Sequence, residues 1–205
     1  MAKKISEIRR PEIISALRTA LEEDGMSLPG NDQIAKHGDM SRQLIRHYFK
    51  DGEDMMLALC EAMEEVYRDC LVKTAIAARG GSRLTIFLDF YFNYLADTGL
   101  PKPADDAVYD ALLAYSNTHE SVRKRLYDGY SLVQMTFAHE FQVTYPDLPQ
   151  AACKELAYLV IVTMYGHWKM VANIGFSESH HRVSREALDR LIESYVANYE
   201  EPEEP

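Results

Sequence analysis

The stretch DMSRQLIRHYFKDGED, residues 39–54, contains two interleaved sets of side chains. Its apolar residues, from Met40 to Phe49, recur at steps of one, three and four, and a polar set falls between them. Because residues at such steps share one face of a helix, the stretch predicts a short helix with one apolar and one polar face. Ser41, just before it, is a favoured N-cap residue. The polar face is cationic or hydrogen-bonding throughout, with Arg42, Gln43, Arg46, His47 and Lys50.

The chain is acidic as a whole, but its beginning is not. The 205 residues carry a formal charge of -10. Residues 1–50 hold nine Lys or Arg and seven Asp or Glu, a net charge of +2, which leaves -12 for residues 51–205. Since charges beyond a Debye length of about 8 Å are largely screened, a local basic surface can still attract phosphate.

Helical patterns continue on both sides of this stretch. Pro11 is expected to open the first helix, which Gly25 ends, and Asn31 is expected to cap a short second helix that stops at Gly38. A long helix should run from about Glu53 to Ala78. The later predicted helices are about 83–97, 104–116, 119–144, 150–174 and 185–199, separated by Gly, Pro or polar stretches.

No sustained alternation and no Asn-Gly turn predicts a strand. We therefore predict an all-α protein of about nine helices. Its expected parts are an N-terminal unit of residues 1–52, a larger helical body of 53–200 and a disordered acidic tail of 201–205. No apolar run reaches the roughly 20 residues that span a bilayer, so a cytoplasmic protein without membrane contact is expected. Three free thiols are also expected, at Cys60, Cys70 and Cys153.

Two short helices with a tight turn between them, the second with a polar face, have the geometry that reads the DNA major groove. Ile34 and Ala35 would pack the first helix inward, and Leu44 would anchor the second. Arginine can hold guanine and glutamine can hold adenine through paired hydrogen bonds. On periodicity alone, a plain solvated helix face is the alternative. The residues predicted to contact double-stranded DNA are Ser41, Arg42, Gln43, Arg46, His47, Tyr48 and Lys50.

Residues 9–59, RRPEIISALRTALEEDGMSLPGNDQIAKHGDMSRQLIRHYFKDGEDMMLAL, resemble the N-terminal domain of the TetR family of transcriptional regulators. The matching elements include IA at 34–35, Ser41 and HYF at 47–49. ALDRLIESY, residues 187–195, is similar to the last helix of the choline-responsive branch. The resemblance implies a three-helix helix-turn-helix domain joined to a larger ligand-binding and dimerisation domain. It thus implies a homodimeric repressor that a small organic effector releases from a palindromic operator.

Three positions depart from the family pattern. Asp39 stands where the family usually has Gly in the turn, and Arg46 stands where it has Tyr. Gly52 replaces a Lys that touches phosphate at the start of the connecting helix. The phosphate contacts are therefore expected to depend more on Lys50 and on the N-terminal Lys3 and Lys4.

The acidic body is rich in aromatic and Met side chains at helical spacing. Such stripes are most often core. The family resemblance favours an effector pocket instead, for either a quaternary ammonium, which aromatic faces bind, or a flat apolar compound. The predicted lining residues are Tyr91, Tyr94, Tyr109, Tyr115, Met135, His139 and Trp168.

The last two predicted helices carry more apolar surface than one partner helix covers. Residues 155–176, ELAYLVIVTMYGHWKMVANIGF, are apolar on most sides. Two helices from each subunit would form a four-helix interface, with intramolecular packing as the alternative. The predicted interface residues on the final helix are Leu188, Leu191, Ile192, Tyr195, Val196 and Tyr199.

Enzyme motifs are incomplete in this sequence. Tyr165 and Lys169 have a dehydrogenase-like spacing, but no Gly-rich phosphate loop accompanies them. His180 and His181, with His119, could bind a metal, although a solvated loop is favoured. We predict no catalytic residues, no metal and no cofactor. A small all-helical enzyme or ligand-binding protein with a buried aromatic pocket, or a helical adaptor that binds only protein, remains the alternative function.

Overall fold

The computed structural model of the protein describes residues 5–25, 28–77 and 81–199. Over these ranges the chain forms nine α-helices and no strand, which confirms the predicted all-α class. A 3-10 turn, Ala96–Thr98, and a π-helical turn, Lys169–Asn173, complete the regular structure. The helices are α1 (Ile5–Asp24), α2 (Asn31–His37), α3 (Arg42–Tyr48), α4 (Gly52–Ala77), α5 (Arg83–Tyr91), α6 (Asp106–Ser116), α7 (Glu120–Thr144), α8 (Gln150–Trp168) and α9 (His180–Asn198).

The first helix begins at Ile5, well before the predicted start at Pro11. Pro11 lies inside α1, where it cannot donate a backbone hydrogen bond one turn back. The helix nevertheless continues through it as far as Asp24. The predicted contributions of Lys3 and Lys4 lie outside the described residues.

The two short helices begin at different caps. Gly30, not the predicted Asn31, is the N-cap of α2, and its backbone N–H donates to Gln33 Oε1 at 2.9 Å. For α3 the prediction is confirmed, because the hydroxyl of Ser41 accepts a hydrogen bond from the backbone N–H of Leu44 at 3.1 Å. Each cap satisfies a donor that the helix itself leaves unpaired.

Two compact units make up the structure, and the first contains the described parts of residues 1–67 and 105–129. It therefore extends beyond the predicted N-terminal unit of 1–52. The reason lies in its core, where Val108 and Leu112 of α6 and Val122 of α7 join one apolar cluster with α1 to α4. A unit of about 50 residues buries little apolar surface by itself, and the added helices enlarge the core.

The second unit contains the described parts of residues 68–104 and 130–205, and aromatic side chains dominate its core. Arg185 is also buried there, and it pairs with Asp89 at 2.9 Å and with Asp189. Glu140, also buried, pairs with Arg83 at 3.0 Å. Buried charges require such partners. The largest buried aromatic side chains are Phe87, Phe90, Tyr91, Phe92, Phe137 and Phe141.

Two predicted helix ends in this unit are wrong. The segment predicted as 83–97 ends at Tyr91, because Asn93 adopts a left-handed backbone with φ of 61°. The last helix begins at His180 instead of 185. The His180–His181 pair is therefore helical and not part of a loop.

The predicted state of the three cysteines is confirmed. Cys60, Cys70 and Cys153 are free thiols, and burial raises the pKa of Cys60 to about 12. Within the described ranges we find no helix with the length and apolarity that a membrane crossing requires.

Candidate nucleic-acid interface

The short helix α3 has the two faces that its sequence predicts. Ile45 and the C-cap residue Phe49 are buried in the core of the first unit, and Leu44 is half-buried. Tyr48 is half-buried and packs against the same core. The polar face is open to solvent, and its exposed members are Ser41, Arg42, Gln43, Arg46, His47 and Lys50. Their contacts with DNA stay a prediction.

The turn between α2 and α3 explains one departure from the family pattern. Asp39 adopts a left-handed backbone with φ of 46°, a conformation that glycine takes without strain. Aspartate is among the few other residues that tolerate it, so Asp39 replaces the usual glycine at modest cost. The turn closes when the Met40 N–H donates to the Ala35 carbonyl at 3.0 Å.

Arg42 is held by a residue of the preceding helix. Its guanidinium donates from Nη1 to Asp32 Oδ2 at 3.2 Å, and its Nε lies 2.9 Å from Oδ1. Both side chains are largely exposed, and exposed ion pairs contribute about 0–1 kcal/mol. This pair can therefore open at little cost when a stronger partner for Arg42 arrives.

Arg10 of α1 makes three contacts at the end of α3. Its Nη1 donates to the backbone carbonyl of Tyr48 at 2.6 Å, and its Nη2 donates to Asp54 Oδ1 at 3.0 Å. Its guanidinium carbon also lies 4.1 Å from the ring centre of Phe49. Periodicity cannot predict these contacts, because the partners lie 38 and 44 residues away along the chain.

Gly52, at the start of α4, stands in a crowded position. A Cβ there would lie 3.0 Å from Leu28 Cδ2 and 3.4 Å from the hydroxyl oxygen of Tyr115. A larger side chain would therefore require Leu28 to move.

The structure separates the residues predicted to line an effector pocket. Tyr91 and Trp168 meet in the second unit, where the Trp168 indole N–H donates to the Tyr91 carbonyl at 2.8 Å. Met135 is 61% exposed, and Tyr94 and His139 are exposed as well. Tyr109 and Tyr115 pack against the core of the first unit. The seven residues thus fall in two different units, because helical spacing fixes a residue's face but not which unit that face enters; the pocket that they were expected to line stays a prediction.

Two imidazoles beside Trp168 form a polar cluster that the sequence analysis did not identify. His167 is buried, and its Nε2 lies 2.7 Å from Nδ1 of His181 while its Nδ1 lies 3.0 Å from the Ser184 hydroxyl. Burial, together with the nearby His181 and His180, lowers the pKa of His167 to about 4. Lys102 lies over the Trp168 ring at 4.3 Å from its centre.

The predicted interface residues on α9 divide into two groups. Leu188 and Ile192 are only 1% and 4% exposed, so both belong to the chain's own core. This corrects the interface role predicted for them. The others keep some exposure: Val196 is exposed and Leu191, Tyr195 and Tyr199 are half-buried.

Helix α8 has a second apolar face, which the rest of the second unit leaves exposed. Leu156, Ala157 and Val160 are buried on one side of it. On another side its exposed apolar residues recur at steps of four and three, which places them on one stripe. These residues are Tyr158, Val162 and Tyr165.

Known regulators resemble this chain in sequence. No protein-family model matches it. The HTH-type transcriptional regulator BetI of Escherichia coli O17:K52:H18 is 27% identical over 177 residues, which covers 83% of this chain and 86% of that protein. The regulator of the same name from Klebsiella pneumoniae strain 342 is 28% identical over 174 residues, covering 82% and 84%.

Solved structures share the fold at lower identity. A TetR-family transcriptional regulator from Cytophaga hutchinsonii matches 97% of this chain and 100% of its own, with a TM-score of 0.77 and 14% identity. Salmonella enterica GusR matches 93% and 98%, with a TM-score of 0.66 and 19% identity. The multidrug binding protein EbrR complexed with imidazole matches 89% and 94%, with a TM-score of 0.61 and 16% identity.

Proposed function

Since this chain has the fold of the TetR family of transcriptional regulators and sequence relatives named as HTH-type regulators, we propose that it is a homodimeric DNA-binding repressor. A small organic effector would release it from a palindromic operator. The observation that carries the proposal is the exposed cationic face of α3, set on a buried apolar face in an otherwise acidic chain.

Electrostatics favours this face as the contact with DNA. The chain carries -10 overall, so it gains no general attraction to a polyanion. Arg42, Arg46 and Lys50 are nevertheless exposed together on one short segment. A protein that is acidic elsewhere binds nucleic acid weakly outside such a face, which favours one defined orientation on the duplex.

The individual roles follow from side-chain chemistry. Arg46 and Gln43 would read base edges in the major groove, because two arginine N–H donors match the two acceptors of guanine and the glutamine amide matches the acceptor and donor of adenine. Arg42 would exchange Asp32 for DNA. Ser41, His47 and Tyr48 suit phosphate or base contacts. Lys50, whose side chain is 88% exposed, would contact phosphate and carry no sequence information.

The second unit would bind the effector. The support is the meeting of Tyr91 with Trp168, beside the imidazoles of His167 and His181. This set replaces the wider one predicted from sequence. That the solved EbrR structure is a multidrug binding protein complexed with imidazole adds support by analogy. The placement near the choline-responsive branch and the chemistry of the effector stay predictions.

Two copies of the chain would join through α8 and α9. The exposed stripe of Tyr158, Val162 and Tyr165 offers apolar surface that a partner would cover. On α9, Tyr195 and Tyr199 donate to Glu155 of α8, so the partly exposed end of α9 lies beside this stripe. The relatives are regulators and not enzymes, which is consistent with a protein that is not an enzyme.

The proposal predicts specific binding to an operator, sought first in the DNA that flanks the protein's own gene. Arg46→Ala should weaken specific binding by roughly 1–3 kcal/mol, and Arg42→Ala should do the same where it holds a base. Lys50→Ala should weaken binding to all sequences alike and lower the salt slope by about one. Arg123→Ala, which removes an exposed arginine of α7, is the control and should change little.

Gel-shift and salt-titration measurements decide between the functions. Unchanged operator binding in an Arg42→Ala, Arg46→Ala double variant would exclude α3 as the reading helix.

Effector binding can be followed by fluorescence, because Trp168 is the one tryptophan in the chain. Its fluorescence should change over the same ligand concentrations that release the operator. A ligand that alters the fluorescence without weakening DNA binding would contradict the proposed release.

A further inference from the structure

We propose that Arg10 is a positioning residue for DNA binding, which fixes the backbone from which Lys50 reaches a phosphate. The inference rests on the proposed function, because it assigns a role within that DNA-binding site. Arg10 itself lies on α1, outside the helix-turn-helix pair.

The first step is the link between Arg10 and the end of α3. This helix ends at Tyr48, and the last carbonyl groups of a helix have no partner within it. Arg10 donates to the Tyr48 carbonyl at 2.6 Å. A cation at this end also complements the helix dipole. The stacking of the guanidinium 4.1 Å from the Phe49 ring centre fixes its plane.

The second step leads through Asp54 to Lys50. One carboxylate oxygen of Asp54 accepts from Arg10 at 3.0 Å, and the other accepts from the backbone N–H of Lys50 at 3.1 Å. Although partial burial opposes it, the Arg10 and Lys50 hydrogen bonds hold the pKa of Asp54 below its usual value. The aspartate is therefore charged at neutral pH and bridges the arginine to the backbone of residue 50.

The third step concerns what this arrangement supports. The Lys50 side chain is 88% exposed, although its backbone is held. Gly52 supplies no cation, so the position two residues after Lys50 contributes no charge of its own. A fixed backbone reduces the number of conformations that Lys50 must lose when it binds, which favours its contact with phosphate.

Charge provides a sharp test. Asp54→Asn removes a negative charge, so long-range electrostatics alone predicts tighter binding to DNA. The positioning role predicts the opposite, a loss of about tenfold, comparable to one charge-assisted hydrogen bond. Arg10→Gln should cause a similar loss. Arg18→Gln is the matched control, because it removes the same charge from the same helix, where Arg18 pairs only with Glu22 among the contacts described for it.

Combination with Lys50→Ala separates positioning from direct contact. If Arg10 acts through Lys50, Lys50→Ala should have little further effect in the Arg10→Gln background, and each single variant should lower the salt slope by about one. Additive losses would show instead that Arg10 touches DNA itself and would overturn the proposal.

The experiment uses the full chain, the wild-type operator and thermal melting as a check of folding. Arg10 and Asp54 are both partly exposed, so their pairing contributes little to stability and the variants should remain folded. Wild-type protein that binds no operator would count against the proposed function. Wild-type binding together with Asp54→Asn binding that is equal or tighter would overturn this inference alone.

Discussion

At the scale of single residues, Ser41 links the fold to the proposed site. Its hydroxyl accepts a hydrogen bond from the Leu44 backbone and so fixes where α3 begins. Because Arg42 is the first residue after it, the same cap determines the direction of the exposed face. Ser82 caps α5 in the same way, through the Thr85 backbone at 3.3 Å, but it lies in the second unit. The chain thus contains two equivalent caps with different expected functions.

These caps allow stability to be separated from DNA binding. Ser41→Ala and Ser82→Ala should each lower the free energy of unfolding by about 0.5–2 kcal/mol, because each leaves a backbone donor unpaired. Only Ser41→Ala should also weaken operator binding. Chemical denaturation and gel-shift measurements on both variants check this. Equal operator affinity for the two variants would show that the Ser41 cap at the start of α3 has no role in operator recognition.

At the scale of helices, features that depend on local periodicity could be predicted from the sequence, and features that depend on distant contacts could not. The two faces of α3 and the extent of α4 were predictable, because both depend on local periodicity. The start of α1 before Pro11 was not, since proline usually marks the first residue of a helix. Likewise, the early end of α5 follows from the left-handed backbone of Asn93, which no pattern in that apolar segment signals.

The same difference between local and distant contacts separates the site residues that could be predicted from those that could not. The exposed side chains of α3 are found from sequence, because one helix carries them all. Arg10 and Asp54 could not be found, because their roles arise only when α1, α3 and α4 are brought together. The residues predicted to line the pocket fall in two units, because periodicity within one helix does not show which unit its apolar face enters. Their stripes are real, but Tyr109 belongs to one unit and Tyr91 to the other.

His167 of α8 forms hydrogen bonds with His181 and Ser184 of α9, and the two imidazoles cannot both be protonated without disturbing this arrangement. His167 Nε2 faces His181 Nδ1 at 2.7 Å, and with both rings neutral one of these nitrogens donates and the other accepts. A proton on each ring would instead place two N–H donors face to face. Burial also lowers the pKa of His181, although Glu178 acts in the opposite direction.

The buried imidazole of His167 predicts that the folded protein loses stability in mild acid. The pKa of His167 is about 4 in the folded protein and about 6.5 in the unfolded chain, so the unfolded state binds more protons between these values. Stability should therefore be full above about pH 6.5 and fall towards pH 4, by about 1–3 kcal/mol. His167→Gln should flatten this part of the profile, while His139→Gln, an exposed residue of α7, should not. Urea denaturation from pH 7 to 4.5 measures it, and an unchanged slope in His167→Gln would assign the effect elsewhere.

At the scale of the whole molecule, the two units differ in what they leave exposed. In the first, the exposed face of α3 is cationic. In the second, α8 exposes Tyr158 and Val162, although its opposite side is buried. Recognition of two half-sites requires two copies of α3, and a chain with one copy supplies them only as a dimer. The proposed function therefore needs both surfaces: the cationic face of α3 to contact DNA and the apolar stripe of α8 to form the dimer.

Dimerisation through α8 can be tested by placing charge on the stripe. Tyr158→Asp with Val162→Asp should yield monomers, because an unpaired charge in a buried interface is costly. Operator affinity should fall with it, since each monomer contacts only one half-site. Leu132→Asp with Val143→Asp is the matched control, because it places two charges at similarly exposed apolar positions of α7. Sedimentation velocity at micromolar concentration should show dimers for the wild type and the control, and monomers for the α8 variant. Dimers in all three would move the interface away from α8, whereas a monomeric wild type would contradict the two-half-site arrangement itself.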